Sequence, residues 1–282
     1  MNERRVIRFA PSPTGRLHAG HGYSALLAHD FARSCGGRFL LRIEDIDRGR
    51  CRAEHVQAIF DDLRWLGIEW DGEVAFQSQR MALYAAALDR LKAMGVVYPC
   101  FCTRADIARE IAASQSAPHG PDGPLYPGIC RGLSEEERGE RLTSEDHAWR
   151  IDMARAAALA GPLDWHDASA GRIAADPASL GDVVLARKDA GTSYHLAVTV
   201  DDAAQGVTDV VRGIDLFHAT HVHRLLQALL GLPTPNYHHH PLLTDADGNR
   251  LAKRDGAPTL AAMRERGEDG LAVAERLRKG RQ

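Results

Sequence analysis

The order of apolar and turn-forming residues near the N-terminus limits the folds open to this chain more than any other feature. Arg5–Phe9 predicts a short strand, followed by a loop over residues 10–15 in which two prolines and a glycine prevent regular structure. His18–Ser34 predicts a helix ending near Gly36, and Phe39–Ile43 predicts a second apolar strand. A strand, a crossover helix and a parallel strand form a right-handed βαβ unit. We therefore expect an α/β fold with a parallel sheet.

Composition narrows the protein class further. Of the 282 residues, 44% are hydrophobic and 26% charged, which is typical of a globular protein. No apolar run approaches the roughly 20 residues that span a bilayer, and the N-terminus lacks the pattern of a signal peptide. We therefore expect a cytoplasmic protein without membrane contact. With a net charge of −3, binding to RNA would need a local basic patch.

The segment from Pro11 to His21 predicts a phosphate site. A loop that leaves a strand and enters a helix brings free backbone N–H groups and the positive helix end to one point. His18 and His21 lie three residues apart, so they share a helix face, and Gly20 lets the backbone approach a ligand closely. The alternative is a capped helix start with two surface histidines. The strand and the Pro-Ser-Pro-Thr-Gly sequence before the helix favour the phosphate site.

Three motifs together resemble the glutamyl branch of the class I aminoacyl-tRNA synthetases. The opening RFAPSPTGRLHAGH is similar to the start of that family, with residues 18–21 at its "HIGH" motif. Residues 42–47 match its Arg-Ile-Glu-Asp-Thr-Asp run, with Ile46 in place of Thr. Residues 250–254 resemble its KMSKS loop, with Arg250 replacing the first lysine and Ala252 the serine. The resemblance covers about residues 5–266 and implies a Rossmann-like class I catalytic domain.

The resemblance also implies roles for individual residues. ATP with Mg²⁺ would be bound by His18, Gly20, His21 and Lys253, and the two histidines and the lysine would be catalytic. Lys253 would stabilise charge on the triphosphate. The implied glutamate-binding residues are Arg8, Phe9, Ala10, Pro11, Ser12, Glu44, Tyr194 and Arg212. Glu44 would bind the substrate ammonium, and an arginine fork suits a carboxylate.

Three of the five cysteines lie close together in sequence, in a segment rich in proline and glycine. Cys100, Cys102 and Cys130 could supply three thiolates to one structural Zn²⁺, which prefers four tetrahedral ligands. His119 and Tyr126 compete for the fourth position, and the chemistry alone favours His119. The arrangement resembles the zinc site of glutamyl-queuosine tRNA(Asp) synthetases, which implies Tyr126. The alternative is three buried, inert cysteines.

Residues 238–240 are three consecutive histidines, which suggest a second metal site. Successive strand residues point to opposite faces, so the three side chains cannot converge on one ion. The resemblance instead implies that Tyr237, His239 and Pro241 form the wall of the ATP site.

These observations predict an organisation and a function. Residues 1–98 and 151–282 would form two halves of the catalytic domain, residues 99–150 a zinc-binding insertion, and no anticodon-binding domain would follow. The resemblance implies a monomer that activates glutamate with ATP without tRNA, then transfers it to queuosine in the anticodon of tRNA(Asp). Three alternatives remain: a truncated synthetase that charges a tRNA 3′ end, a non-catalytic paralogue, and an unrelated nucleotidyltransferase with the same fold.

Overall fold

The computed structural model describes residues 4–113, 119–121, 123–243 and 258–280. The strands, in chain order, are β1 (Val6–Phe9), β2 (Arg38–Ile43), β3 (Ala75–Phe76), β4 (Val97–Cys100), β5 (His119–Gly120), β6 (Gly123–Pro124), β7 (Ala148–Ile151), β8 (Asp164–Asp167), β9 (Gly171–Ala174), β10 (Val184–Ala186), β11 (Asp209–Gly213) and β12 (Asn236–His240). The α-helices are α1 (Ala19–Ser34), α2 (Ala53–Trp65), α3 (Met81–Ala93), α4 (Arg104–Ala113), α5 (Glu135–Ser144), α6 (Met153–Ala160), α7 (Tyr194–Ala204), α8 (Ala219–Leu230), α9 (Leu260–Glu265) and α10 (Gly270–Arg278).

The central sheet has the strand order β3-β2-β1-β11-β12-β8-β9. Neighbouring strands run parallel from β3 to β8, and β9 joins β8 antiparallel at one edge. Val6 pairs with Arg38 and Phe9 with Leu41, so the predicted βαβ opening is confirmed. Because parallel strands end at one edge of a sheet, the loops that follow β1, β2 and β11 meet there.

Helix α1 lies against this sheet and is covered by the C-terminal helix α10. Its buried positions include Ala25 and Leu26, which fall on the face turned to the core. A side chain at Gly22 would lie 3.1 Å from Leu277, so glycine lets α10 approach closely. The packing of α10 therefore holds in place the helix whose N-terminus faces the candidate site.

A second sheet joins β4, β7 and β10 in antiparallel order. Residues 101–147 leave β4 and return at its neighbour β7, and they contain two of the three clustered cysteines and the hairpin of β5 and β6. The predicted insertion segment thus starts and ends on paired strands. Within the described ranges, no helix is long and apolar enough to cross a membrane.

Candidate active site

A cavity of about 450 Å³ lies where strands β1, β2 and β11 end and helix α1 begins. Many of the residues expected from the sequence line it: Arg8, Phe9, Ala10, Pro11, Ser12, His18, Gly20, His21, Glu44, Tyr194 and Arg212. The α/β architecture places ligands at this edge of the sheet. One cavity therefore joins the predicted phosphate loop to the predicted amino-acid residues.

The two histidines at the start of α1 cap the helix through their side chains. His18 Nδ1 accepts a hydrogen bond from the N–H of Gly20 at 3.1 Å, and His21 Nδ1 accepts one from the N–H of His18 at 3.2 Å. Since Nδ1 accepts in both rings, each neutral ring carries its proton on Nε2. Both side chains line the cavity. The pair can therefore donate hydrogen bonds to an anion at the helix N-terminus.

Two buried arginines, Arg8 at the cavity wall and Arg42 outside its lining, share one carboxylate. Asp202 on α7 accepts from Arg8 Nε at 3.0 Å and Nη2 at 3.3 Å, and also from Arg42 Nη1 at 2.8 Å. Burial alone would raise the pKa of Asp202, but Arg8 and Arg42 hold that pKa below its ordinary value. Because Asp202 accepts hydrogen bonds from both Nε and Nη2 of Arg8, it fixes the plane of this guanidinium at the cavity wall.

Glu44 follows β2 and supplies a carboxylate to the cavity. Its Oε1 accepts from Arg42 Nη2 at 3.3 Å, and its side chain is 11% exposed. Burial raises the pKa of Glu44 above its ordinary value, against the opposing effect of Arg42 and Arg8. A cation in the cavity would reverse that effect. The position therefore suits an ammonium group.

Arg212, on β11, is the third buried arginine at the cavity, with 4% of its surface exposed. Its guanidinium donates to Tyr194 Oη at 3.4 Å and to Thr220 Oγ1 at 2.6 Å. It also lies 5.3 Å from the centre of the Tyr237 ring, within cation–π range. Each of these partners is neutral.

The histidine run on β12 alternates between faces, as the strand period requires. His238 contacts Asp209, whereas His239 accepts from Arg212 Nε at 3.1 Å. His240 lines the cavity and contacts Ser24. The expectation that His239 forms the cavity wall is therefore wrong: it lies behind Arg212, and His240 reaches the cavity instead.

The cysteine cluster brings four potential metal ligands together. The Sγ atoms of Cys100, Cys102 and Cys130 all lie within 4.8 Å of one another. Tyr126 Oη lies 3.4 Å from Cys100 Sγ and 3.5 Å from Cys102 Sγ, and it accepts from the N–H of Cys130. Arg150 lies 3.9 Å from the centre of the Tyr126 ring. Three soft thiols and a phenol fit a tetrahedral zinc site. The side chain of His119 is outside the described part of the chain.

A second cavity, of about 870 Å³, lies between the insertion segment and the start of helix α7. Tyr194 lines both cavities. Its charged lining residues are four basic and two acidic ones, so basic groups are in excess even though Arg187 pairs with Asp189 and Asp47: Arg104, Arg150, Arg187, Lys188, Asp182 and Asp189. Such a surface suits contact with phosphate groups of a nucleic acid.

The structure thus brings together in one cavity every described residue that was expected to bind glutamate or ATP directly, but not Tyr237, His239 or Pro241, which were expected at the wall of the ATP site. The KMSKS-like loop, including Lys253, Arg250 and Ala252, lies outside the described residues. Sequence reasoning gave no role to three residues that hold the arginines: Asp202, Thr220 and His223. The one available signal was Asp201-Asp202 inside an otherwise apolar helix, where a buried charge needs a partner.

Comparison with known proteins places the chain in a family. Residues 5–279 match the model of "tRNA synthetases class I (E and Q), catalytic domain". The chain belongs to this family of class I tRNA synthetases.

Individual relatives refine the comparison. The chain is 53% identical over 268 residues to a glutamyl-Q tRNA(Asp) synthetase from Rhodobacter capsulatus, covering 93% of this chain and 95% of the relative. It is 49% identical to a protein of the same name from Nocardia farcinica, covering 93% and 79%. A glutamate-tRNA synthetase structure from Elizabethkingia anophelis is 27% identical with a TM-score of 0.83, covering 98% of this chain and 61% of that one. The chain thus spans about three-fifths of that longer synthetase.

Proposed function

We propose that this protein activates glutamate with ATP to give glutamyl-adenylate, without tRNA, and transfers the glutamyl group to queuosine in the anticodon of tRNA(Asp). The names of the relatives from Rhodobacter capsulatus and Nocardia farcinica support this acceptor. In the first step, a carboxylate oxygen of glutamate attacks the α-phosphorus of ATP and pyrophosphate leaves. In the second, an acceptor oxygen of the RNA attacks the acyl carbon, and AMP leaves. We propose that the protein works as a cytoplasmic monomer.

The observation that carries this proposal is the charge pattern of the first cavity. Arg212 and Arg8 provide cationic groups for a second carboxylate, and Glu44 provides an anion for the ammonium. His18 and His21, at the N-terminus of α1, provide donors for the phosphates of ATP. The cavity therefore matches an acidic amino acid beside a nucleotide. Positioning and electrostatics of this kind supply most of the rate in such reactions.

We propose Lys253 as the group that stabilises charge on the triphosphate, with Mg²⁺ bound to ATP. Lys253→Ala should then reduce the adenylation rate by at least about tenfold, with a smaller effect on the KM for glutamate. Pyrophosphate exchange at varied glutamate concentration measures both quantities. Equal losses in rate and glutamate affinity would contradict this role.

The second cavity supports the transfer step. Tyr194 lines both cavities, so an acceptor nucleoside in the second would lie beside a residue that also borders the proposed glutamyl site. Arg150, Arg187 and Lys188 would meet the RNA backbone there. Within this proposal, residues 1–98 and 151–282 form the catalytic domain, and residues 99–150 form the insertion beside the acceptor.

We propose that one structural Zn²⁺ is held by Cys100, Cys102, Tyr126 and Cys130. The ion would tie β4 to the loop before α5, a region with few buried apolar residues of its own. Metal analysis of the purified protein should give one zinc per chain. Cys102→Ser should lower that ratio to well below one, whereas Cys35→Ser, outside the cluster, should leave it unchanged. A full zinc content in Cys102→Ser would contradict the assignment.

The proposed function is tested by the transfer of radiolabelled glutamate, with ATP and magnesium, to two matched tRNA(Asp) samples. One sample carries queuosine and the other does not. We expect label only on the queuosine sample, and on the anticodon fragment rather than the 3′-terminal fragment after ribonuclease digestion. Label at the 3′ end of both samples would identify a synthetase that charges tRNA. Absence of both transfer and glutamate-dependent pyrophosphate exchange would identify a non-catalytic relative.

A further inference from the structure

The environment of Arg212 differs from that of the other buried arginines at the cavity. Among the described residues, every group that accepts a hydrogen bond from its guanidinium is neutral. These acceptors are His239 Nε2 (3.1 Å), Tyr194 Oη (3.4 Å), His223 Nδ1 (3.4 Å), the Leu216 carbonyl oxygen (3.1 Å) and Thr220 Oγ1 (2.6 Å). By contrast, Arg8 and Arg42 both pair with the carboxylate of Asp202. Within the part of the chain that the structure describes, Arg212 therefore has no carboxylate partner at the cavity wall.

The direction of the hydrogen bonds shows that both imidazoles are neutral. An arginine can only donate, so His239 Nε2 and His223 Nδ1 must each present a lone pair. The other nitrogen of His239 then donates to Asp167 at 2.8 Å, and that of His223 donates to His195 Nδ1 at 3.2 Å. A second proton on either ring would point an N–H at the guanidinium. Burial, followed by the charge of Arg212, lowers the pKa of His239 to about 4 and that of His223 well below its ordinary value.

Among the described residues, no carboxylate forms an ion pair with Arg212, although Glu44 and Asp215 line the same cavity. Glu44 accepts a hydrogen bond from Arg42. Asp202 is engaged by Arg8 and Arg42. Asp167 is separated from Arg212 by the ring of His239, and its other oxygen accepts from backbone N–H groups. A buried cation without a contacting anion is costly for a protein to hold. A bound ligand that supplies the missing anion would offset this cost.

We propose that His223, His239 and Thr220 are positioning residues that hold Arg212 in place without neutralising it, so that the site selects a substrate with a second carboxylate. This inference rests on the proposed function and adds the origin of its specificity. Glutamate brings a negative charge to Arg212, whereas the isosteric amide of glutamine does not. A site that leaves a buried charge unpaired rejects the neutral analogue strongly.

The test replaces His223 with two residues of equal size that differ in charge. His223→Gln keeps a neutral acceptor, whereas His223→Glu gives Arg212 an internal carboxylate. The KM for glutamate in pyrophosphate exchange should be at least about 100-fold higher for His223→Glu than for His223→Gln. The KM for ATP should agree within about threefold between the two variants, since Arg212 would not contact the nucleotide. His223→Glu should also lose most of the preference for glutamate over glutamine.

A second pair guards against a variant that fails to fold. Thr220→Asn and Thr220→Asp also differ only in charge, and Thr220 contacts Arg212 from another helix position. The same 100-fold separation is expected. Similar glutamate KM values within both pairs would overturn the proposal. So would a loss in His223→Gln and Thr220→Asn as large as in their acidic partners, because neutrality would then not matter. If the acidic variants do not fold, the neutral variants decide: a glutamate KM within about tenfold of the wild type in both supports the proposal, and a rise of about 100-fold in both contradicts it.

The wild-type protein separates this inference from the proposed function. Glutamate-dependent pyrophosphate exchange by the wild type tests the function itself, whatever the variants do. Calorimetric binding of glutamate and glutamine to the His223 pair provides the same comparison without any catalysis. If the wild type shows no glutamate-dependent exchange, the proposed function is contradicted. If the two His223 variants then still differ in glutamate binding as expected, the inference about Arg212 is retained.

Discussion

The buried arginines on the two sides of the cavity have opposite electrostatic environments. On the side of α7, Arg8 and Arg42 are buried against Asp202, and Arg42 also pairs with Glu44. On the side of β12, Arg212 is equally buried but rests on imidazole, hydroxyl and carbonyl groups. The first side is internally neutralised and therefore stabilises the fold. On the second side, the charge of Arg212 is left for a ligand to neutralise. This arrangement favours binding of an anion but lowers the stability of the ligand-free protein.

The largest effect is expected from removing the carboxylate on which the first side depends. Asp202→Asn keeps the shape of the side chain but leaves Arg8 and Arg42 with a neutral partner. Because breaking a buried ion pair leaves an uncompensated charge, we expect the free energy of unfolding to fall by about 3–5 kcal/mol. Urea denaturation at pH 7 measures this. A loss below about 1 kcal/mol would show that the stability of the first side does not depend on the negative charge of Asp202.

The two sides should also respond to acid in different pH ranges. Burial and Arg212 lower the pKa of His195 and His239 to about 4, below the unfolded value near 6.5. Between these values the unfolded chain binds more protons, so stability is present above about pH 6.5 and is lost as the pH falls towards 4. The pKa of Asp202 is lowered, so its contribution is lost only at more acidic pH. Asp62, with its pKa raised to about 6 mainly by burial, acts in the opposite direction.

His223→Gln isolates the histidine contribution to this acid response. Relative to pH 7, the wild type should lose about 2 kcal/mol more stability than the variant at pH 5, because the variant lacks one protonation site. Chemical denaturation of both proteins across this pH range measures the difference. Parallel curves would indicate that His223 titrates normally in the folded protein.

The smallest effect is expected where the first side has a redundant acceptor. Gln205 accepts from Arg42 Nη1 at 2.8 Å, alongside the carboxylates that also bind this arginine. Gln205→Leu should therefore cost only about 1 kcal/mol of unfolding free energy. The KM for glutamate should remain near that of the wild type. A cost comparable to that of Asp202→Asn would mean that the neutral acceptor matters as much as the charged one.

The sequence predicted the ligand-facing half of this comparison but not the supporting half. The strand and loop pattern predicted the βαβ opening, and the motif resemblance predicted Arg8, Glu44 and Arg212, which the fold places in one cavity. The supporting groups belong to no local motif. Asp202 meets Arg8 across 194 positions, and Thr220 reaches Arg212 only because a short turn brings α8 back over β11.

The same dependence on long-range topology explains why the sequence did not predict that His239 lies behind Arg212. Alternation along a strand predicts that neighbouring histidines face opposite sides, but it does not say which side is the cavity. That depends on strand order, and β12 lies beside β11 with His239 level with Arg212. Contacts between partners so far apart in sequence become predictable only once the topology is known.

The long sequence separation between these partners has a consequence for folding during synthesis. Arg8 and Arg42 are made early during synthesis, whereas Asp202, Arg212 and His239 follow some 160 or more residues later. Contacts of such high sequence separation form late in folding. A growing chain that has only its first two strands therefore carries Arg8 without its acidic partner, and Arg42 with Glu44 alone. Until α7 and β12 emerge from the ribosome, these groups must stay in water, and the nascent protein can neither close its core nor hold an amino acid.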